Sequence, residues 1–137
     1  VALVDGKITD RIIGAAIEVH RALGPGFLES VYEEALAVEL EAQSIPFERQ
    51  KSIRIMYKSK PVGEHRLDFY IEGVVVELKA VKELDSIFFA TVRSYMKALN
   101  TSTGLILNFA TMPLTIKRVS RERNELGTPE NQEGEQN

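Results

Sequence analysis

Leu67-Asp68-Phe69-Tyr70-Ile71-Glu72-Gly73-Val74-Val75-Val76-Glu77-Leu78-Lys79 is the stretch that decides the fold. Glu72-Gly73 is a two-residue turn signal between two alternating apolar runs, and that combination predicts a β-hairpin. With those two residues at the turn, Ile71 pairs with Val74, Tyr70 with Val75, Phe69 with Val76 and Asp68 with Glu77. Leu67, Phe69, Ile71, Val74, Val76 and Leu78 then share one face, and Asp68, Glu77 and Lys79 share the other. Directly opposed residues stand about 4.5–5.5 Å apart at Cβ, where two like charges repel unless a proton or a cation lies between them. A hard divalent ion such as Mg2+ suits the position, since it takes carboxylate oxygens and waters. An ion pair between Glu77 and Lys79 is the competing, purely structural solution.

Outward from the hairpin, the hydrophobic period changes. Toward the N-terminus, Thr9 can cap a helix carrying Ile12, Ala16, Val19 and Leu23, which Gly24-Pro25 stops. A second helix is expected from Leu28 to Ser44, with Leu28, Val31, Ala35 and Val38 on its apolar face. Period-two alternation marks a strand over 47–57, and a turn over 58–63 leads into a strand over 64–71, with the return strand over 74–81. Beyond it come a helix capped by Asp85 or Ser86 and ending near Leu99, a strand over 103–109 and a short edge strand over 116–119. The order ααβββαβ, with that edge strand added, belongs to the α/β class.

The chain has 137 residues, 44% of them apolar and 27% charged, the profile of one globular domain rather than a collagenous or wholly disordered chain. That domain is expected over residues 9–120, with an N-terminal extension over 1–8 and a disordered acidic tail over 121–137. No apolar stretch is long enough to cross a bilayer and the first residues lack a secretory pattern, so a soluble cytoplasmic protein without a membrane partner is expected. The absence of cysteine excludes disulfides, thiolate zinc sites and Cys nucleophiles. With only two histidines, a metal has to be held mainly by oxygen.

The net charge of −3 is the charge of the tail, where residues 121–137 hold two basic and five acidic side chains. In the rest of the chain the signs are segregated. Residues 29–48 contain six Glu and no Lys or Arg, whereas Arg49, Lys51, Arg54, Lys58, Lys60 and Arg66 are accompanied over 49–66 by one acid, Glu64. Such a ribbon can meet phosphates, with Arg49, Lys51 and Arg54 as the nucleic-acid candidates. It can equally be a solvated strand pair, or pair with the Glu-rich helix of its own chain or of a second copy in a homodimer. His20 falls at the end of the first helix, where it either serves a site or caps carbonyls.

Gly26-Phe27-Leu28-Glu29-Ser30-Val31-Tyr32 follows Ala-Ile-Glu-Val-His-Arg-Ala-Leu-Gly-Pro at 16–25 and precedes Asp68 and Glu77-Leu78-Lys79. In that order these motifs resemble the GxxExxY proteins, a group assigned to the PD-(D/E)XK nuclease superfamily, over residues 8–119. The resemblance implies a restriction-endonuclease-like core, a mixed central sheet flanked by helices, and a metal-dependent nuclease acting on nucleic acid. It implies that Asp68 and Glu77 ligate Mg2+, with Mn2+ as a substitute, and that Lys79 orients or activates the attacking water and stabilises the phosphate. The helix-borne glutamate of the family falls on Glu29, with Glu33 as second candidate. Leu67 stands where the family has proline, and Thr91 stands where relatives carry the glutamine of a Gln-x-x-x-Tyr pair that ends here at Tyr95. Thr91, Tyr95 and His20 are therefore accessory candidates. A catalytically silent member that binds nucleic acid or protein through the same surface is the alternative.

Overall fold

A computed structural model describes residues 6–121. Its elements are α1 (Gly6–Leu23), α2 (Glu29–Ala42), β1 (Glu48–Tyr57), β2 (Lys60–Ile71), β3 (Val74–Lys79), α3 (Ser86–Leu99), β4 (Thr103–Asn108) and β5 (Thr115–Ser120). The strands form one mixed sheet in the order β1-β2-β3-β4-β5. β3 and β4 are parallel, which requires the crossover that α3 supplies, and the other neighbours are antiparallel. One sheet face, with Phe69, Ile71, Val74, Val76, Leu78, Leu105 and Leu107, packs on α1 and α2. The other, with Leu67, Val75 and Ile106, packs on Phe89, Val92, Tyr95 and Met96 of α3. This is the α/β architecture expected, a mixed sheet between helices, and none of the described helices is long and apolar enough to cross a membrane.

The hairpin at its centre has the register read from the sequence, with Ile71 opposite Val74, Tyr70 opposite Val75 and Phe69 opposite Val76. Glu72 and Gly73 have φ of 47° and 90°, the pair of positive values of a type I′ turn, whose twist matches the strands it joins. The β1–β2 connection differs from the expected turn over 58–63. Lys58 and Ser59 alone make it, with φ of 50° and 65°, and β2 starts at Lys60. Pro61 is accommodated because it lies opposite Met56, where the register shifts.

Two helix features differ from those expected. α1 starts at Gly6, so Thr9 lies inside the first turn, its hydroxyl donating to the Gly6 carbonyl at 2.8 Å, and Ile8 of the expected extension is buried. Val1–Asp5 and the acidic tail beyond Arg121 lie outside the described residues. On α2 the buried face is Tyr32, Leu36, Ala37 and Leu40, whereas Leu28 and Val38 are 76% and 66% exposed. The sequence offers two apolar stripes, and the one with the aromatic ring is chosen. Tyr32 stacks on Phe109 with centroids 4.6 Å apart, and no aliphatic residue in the other stripe offers a comparable area. Asp85 is the cap of α3, accepting from the Ile87 amide at 3.0 Å.

α3 lies so close to β4 that a Cβ on Gly104 would come within 2.7 Å of Val92 Cγ1 and 2.8 Å of Met96 Sδ. Met96 can swing aside, but Val92 is stiff at χ1. Gly104→Ala is expected to cost about 1–3 kcal/mol by levering α3 off the sheet, measurable in denaturant unfolding. A neutral effect would show that α3 floats over β4 rather than being seated on it.

Candidate metal and phosphate site

Backbone pairing between β2 and β3 ends at Phe69 and Val76, and the two carboxylates take over from there. The Asp68 amide donates to Glu77 Oε1 at 2.7 Å, and the Leu78 amide donates to Asp68 Oδ2 at 2.8 Å. Each acid thus accepts a main-chain hydrogen bond from the opposite strand, in place of the direct ladder pair expected for Asp68 and Glu77. The same point breaks the alternation of β2. Phe69 stays on the α1–α2 face, while Leu67 joins the α3 face, contrary to the single apolar face expected. The cause lies on β1, where Gln50, between the pairs Arg49–Phe69 and Lys51–Leu67, has a left-handed backbone (φ 54°) that rotates the strand pair.

Glu77 is 8% exposed and Asp68 is half-buried. Loss of solvent, and for Glu77 next the charge of Asp68, raises their pKa values to about 8 for Glu77 and about 6 for Asp68. Lys79 lowers both, but less than burial raises them. Among the described residues no salt bridge joins Lys79 to Glu77. Its Nζ lies instead 4.2 Å from the centre of the Phe88 ring on α3.

The first turn of α2 closes the site from the other side. Glu29 is desolvated enough to raise its pKa, which Lys79 and a hydrogen bond from the Ala80 amide pull back down. Its position follows from the Gly26–Tyr32 segment. The Tyr32 hydroxyl donates to the Gly24 carbonyl and accepts from the Phe27 amide, locking a turn in which Gly26 has φ of 115°. Asn108, 1% exposed at the end of β4, binds Val81 through both its carbonyl and its amide, which holds the chain just beyond Lys79.

Glu33, one turn along α2, serves as a brace. Arg49 Nε donates to it at 2.8 Å, and Gln50 Nε2 donates to both its oxygens at 3.0 Å while reaching Asp68 Oδ1 at 3.4 Å. Arg49 also grips Glu34 at 2.6 Å, so its guanidinium is committed to α2, as the intrachain pairing alternative for the ribbon anticipated. Lys51 pairs with Glu48 at 2.9 Å and lies over Tyr70, whereas Arg54 is exposed. Of the accessory candidates, Tyr95 is buried on the α3 face, where burial, and then the charges of Glu77 and Asp68, push its hydroxyl up to about 12. Thr91 turns back to the Ile87 carbonyl at 3.0 Å. His20 is buried, its Nε2 2.8 Å from the Thr111 carbonyl oxygen and its ring 6.1 Å from that of Phe109.

Gln50 and Asn108 were not singled out from the sequence. Gln50 could have been, since the register that pairs Phe69 with Arg49 puts position 50 opposite Asp68, but the misplaced β1–β2 turn concealed it. A buried and a half-buried carboxylate, both with raised proton affinity, fit a hard divalent cation, which would take the place of the proton. Among the described residues no third Asp, Glu or His completes a ready-made cage, a donor set suited to an ion that keeps waters or takes substrate oxygens in its shell.

A family model described as PD-(D/E)XK nuclease superfamily matches residues 6–119. The fold is similar to the crystal structure of SSO0001, with a TM-score of 0.55 and 13% identity, over 71% of this chain and 52% of that one. The chain thus spans about half the length of that protein, and at this identity the likeness concerns the fold alone. No curated protein matches the sequence.

Without metal, both acids bind protons more tightly folded than unfolded, where their ordinary values are 3.8 and 4.5. Between those values and the raised ones the folded chain holds the extra protons, so stability falls as pH rises. Thermal unfolding in EDTA is expected to show Tm declining from about pH 4 to about pH 8. Glu77→Gln is expected to flatten the upper half of that decline and to exceed the parent by about 1 kcal/mol or more at pH 8. A Glu77→Gln chain less stable than the parent at pH 8 would instead identify Glu77 as the partner of a cation.

Proposed function

The chain belongs to the PD-(D/E)XK nuclease superfamily, and on that premise we propose that it hydrolyses phosphodiester bonds of nucleic acid using a divalent cation held by Asp68 and Glu77, Mg2+ or in its place Mn2+. The observation that carries this is the reciprocal amide lock, which holds two desolvated carboxylates side by side with no salt bridge to either among the described residues. A structural hairpin would gain nothing from burying both acids unpaired. The finer likeness to GxxExxY proteins is part of the proposal, supported by the Gly26–Tyr32 turn that presents Glu29 to Lys79 and Ala80. The proposed nuclease domain ends near residue 120 and includes Gly6–Ile8, which are part of α1.

When bound, the cation supplies charge neutralisation at the phosphate and a more acidic water. The chain's own residues do the rest. The amides of Asp68 and Leu78 fix both carboxylates, so no reorganisation is needed when the ion arrives. Lys79, half-buried over Phe88 and facing Glu29, brings a positive charge to a nonbridging phosphate oxygen and orients the water. Glu29 sets an opposite charge toward the Lys79 ammonium. Gln50, bridging Glu33 and Asp68, limits rotation of the Asp68 carboxylate. Since the acids hold protons when no cation is bound, binding must release them, and activity is expected to rise with pH up to about 8.

The test is cleavage of single-stranded, duplex and branched nucleic acids with Mg2+, Mn2+ or EDTA. Asp68→Asn and Glu77→Gln are expected to lower metal-dependent cleavage by about 100-fold or more, and Lys79→Ala by at least about 10-fold. Folding should persist, because each amide keeps an acceptor for the same main-chain donor. Full cleavage by either carboxamide variant, or none by the parent with either ion, would overturn the proposal.

A further inference from the structure

Only the last three residues of β2, Phe69–Ile71, pair with β3, while β2 pairs with β1 from Lys60 onward. Lys51–Leu67 is therefore a two-stranded ribbon that runs past the five-stranded sheet for roughly 25 Å at a strand's rise per residue. Its inner face is anchored, as Ile53 and Ile55 pack on the α3 cluster and the His65 ring meets Tyr95 edge-on at 6.0 Å. Its outer face and tip are not covered by any described residue, and every residue from Met56 to Arg66 is exposed. Besides Lys51, which pairs with Glu48, four of the ribbon's side chains are cations, Arg54, Lys58, Lys60 and Arg66, and among the described residues none of the four has an ion-pair partner. The single acid, Glu64, is taken by the Ser52 hydroxyl. Tyr57 and Val62 stand 64% and 61% exposed among them.

An exposed ribbon of net positive charge with apolar side chains between its cations calls for a polyanion that also offers apolar contact. We propose that the β1–β2 ribbon is a DNA-binding arm that lies in the major groove of duplex DNA next to the carboxylate site. This rests on the nucleic-acid reading of that site and adds the form of the substrate. The charge decides for a nucleic acid, and the width decides which one. Two strands about 4.8 Å apart, with their side chains, match the roughly 12 Å major groove of B-form DNA, which admits a β-ribbon, whereas the deep, narrow major groove of A-form RNA does not. The outer face presents Arg54 and Val62 together around one shallow groove, a cation for base edges or phosphate beside an apolar group for a thymine methyl. The arm meets the site directly, since Leu67 precedes Asp68 and Lys51 follows Gln50. DNA held along the ribbon is thereby led to the carboxylates.

Binding separates this from catalysis. The full chain in EDTA, which cannot use a metal, is titrated into fluorescent duplex DNA, duplex RNA and single-stranded DNA at several salt concentrations. The parent is compared with a triple variant, Arg54→Gln, Lys58→Gln and Lys60→Gln, and with Tyr57→Ser, all at exposed positions, with thermal unfolding as a control for folding. The arm predicts that the triple variant loses at least about 10-fold in duplex-DNA affinity, that its log–log salt slope becomes shallower by about 2–3, and that single strands and duplex RNA bind nearly as before. Tyr57→Ser should weaken duplex binding without changing the slope. Unchanged duplex affinity and slope would overturn the arm, as would equal losses on all three ligands, or unchanged binding with an altered oligomeric state, which would assign the ribbon to a second copy. A parent that binds duplex DNA through the arm but cleaves nothing with Mg2+ or Mn2+ would refute the nuclease proposal and leave the arm standing.

Discussion

Two hydrogen bonds, from the Asp68 amide to Glu77 and from the Leu78 amide to Asp68, are the constraint around which the molecule is arranged. A sheet normally satisfies its main chain with main chain. Here the β2–β3 ladder stops after Phe69 and Val76, and the next donors are satisfied by carboxylates. The exchange keeps the strands joined while it turns two acids inward, side by side, at a point where Lys79 offsets their burial only in part. The consequence is electrostatic stress, expressed as raised proton affinity on both groups. A proton relieves it, and the proposed function rests on a divalent ion doing the same.

The remainder of the scaffold holds the edges of this arrangement. The left-handed Gln50 rotates β1 where β2 must release Asp68, and ties Asp68 to Glu33. Arg49 then fastens Glu33 and Glu34, so the basic start of β1 is spent on the acidic face of α2. Tyr32, stacked on Phe109 and bonded to the Gly24–Phe27 turn, sets the rotation of α2 that brings Glu29 to Lys79. Asn108 fixes the chain after β3, and α3, seated against Gly104, places Phe88 over Lys79 and Tyr95 beside the acids. The site at the middle of the sheet therefore depends on packing from both layers.

The hairpin was legible because two local signals agreed: Glu72-Gly73 permits two consecutive positive φ values, and the valine-rich return strand leaves one register that buries its face. Asp68, Glu77 and Lys79 follow from that register. What escaped depended on tertiary choices. Leu28, Val31 and Val38 form as regular a stripe as Tyr32, Leu36 and Leu40, and only the stacking partner Phe109, far away in sequence, selects between them. Leu67 changed faces because a single backbone angle on another strand broke the alternation. Lys58-Ser59 carries no glycine or asparagine to mark its turn, so the length of the ribbon, and with it the position of Gln50 opposite Asp68, was concealed. Local chemistry is written in the sequence at close range, whereas partner selection is not.

The central claim is that Asp68 and Glu77 form a cation site kept ready by the backbone. It is tested most directly by isothermal titration of Mg2+ and Mn2+ into the metal-free chain at pH 7 in two buffers of different ionisation enthalpy. The account predicts saturable binding with a buffer-dependent heat, because the cation displaces a proton held chiefly by Glu77, and loss of both binding and proton release in Asp68→Asn. Heat-silent titration of the parent up to millimolar cation, or binding that survives in Asp68→Asn with no proton released, would contradict it.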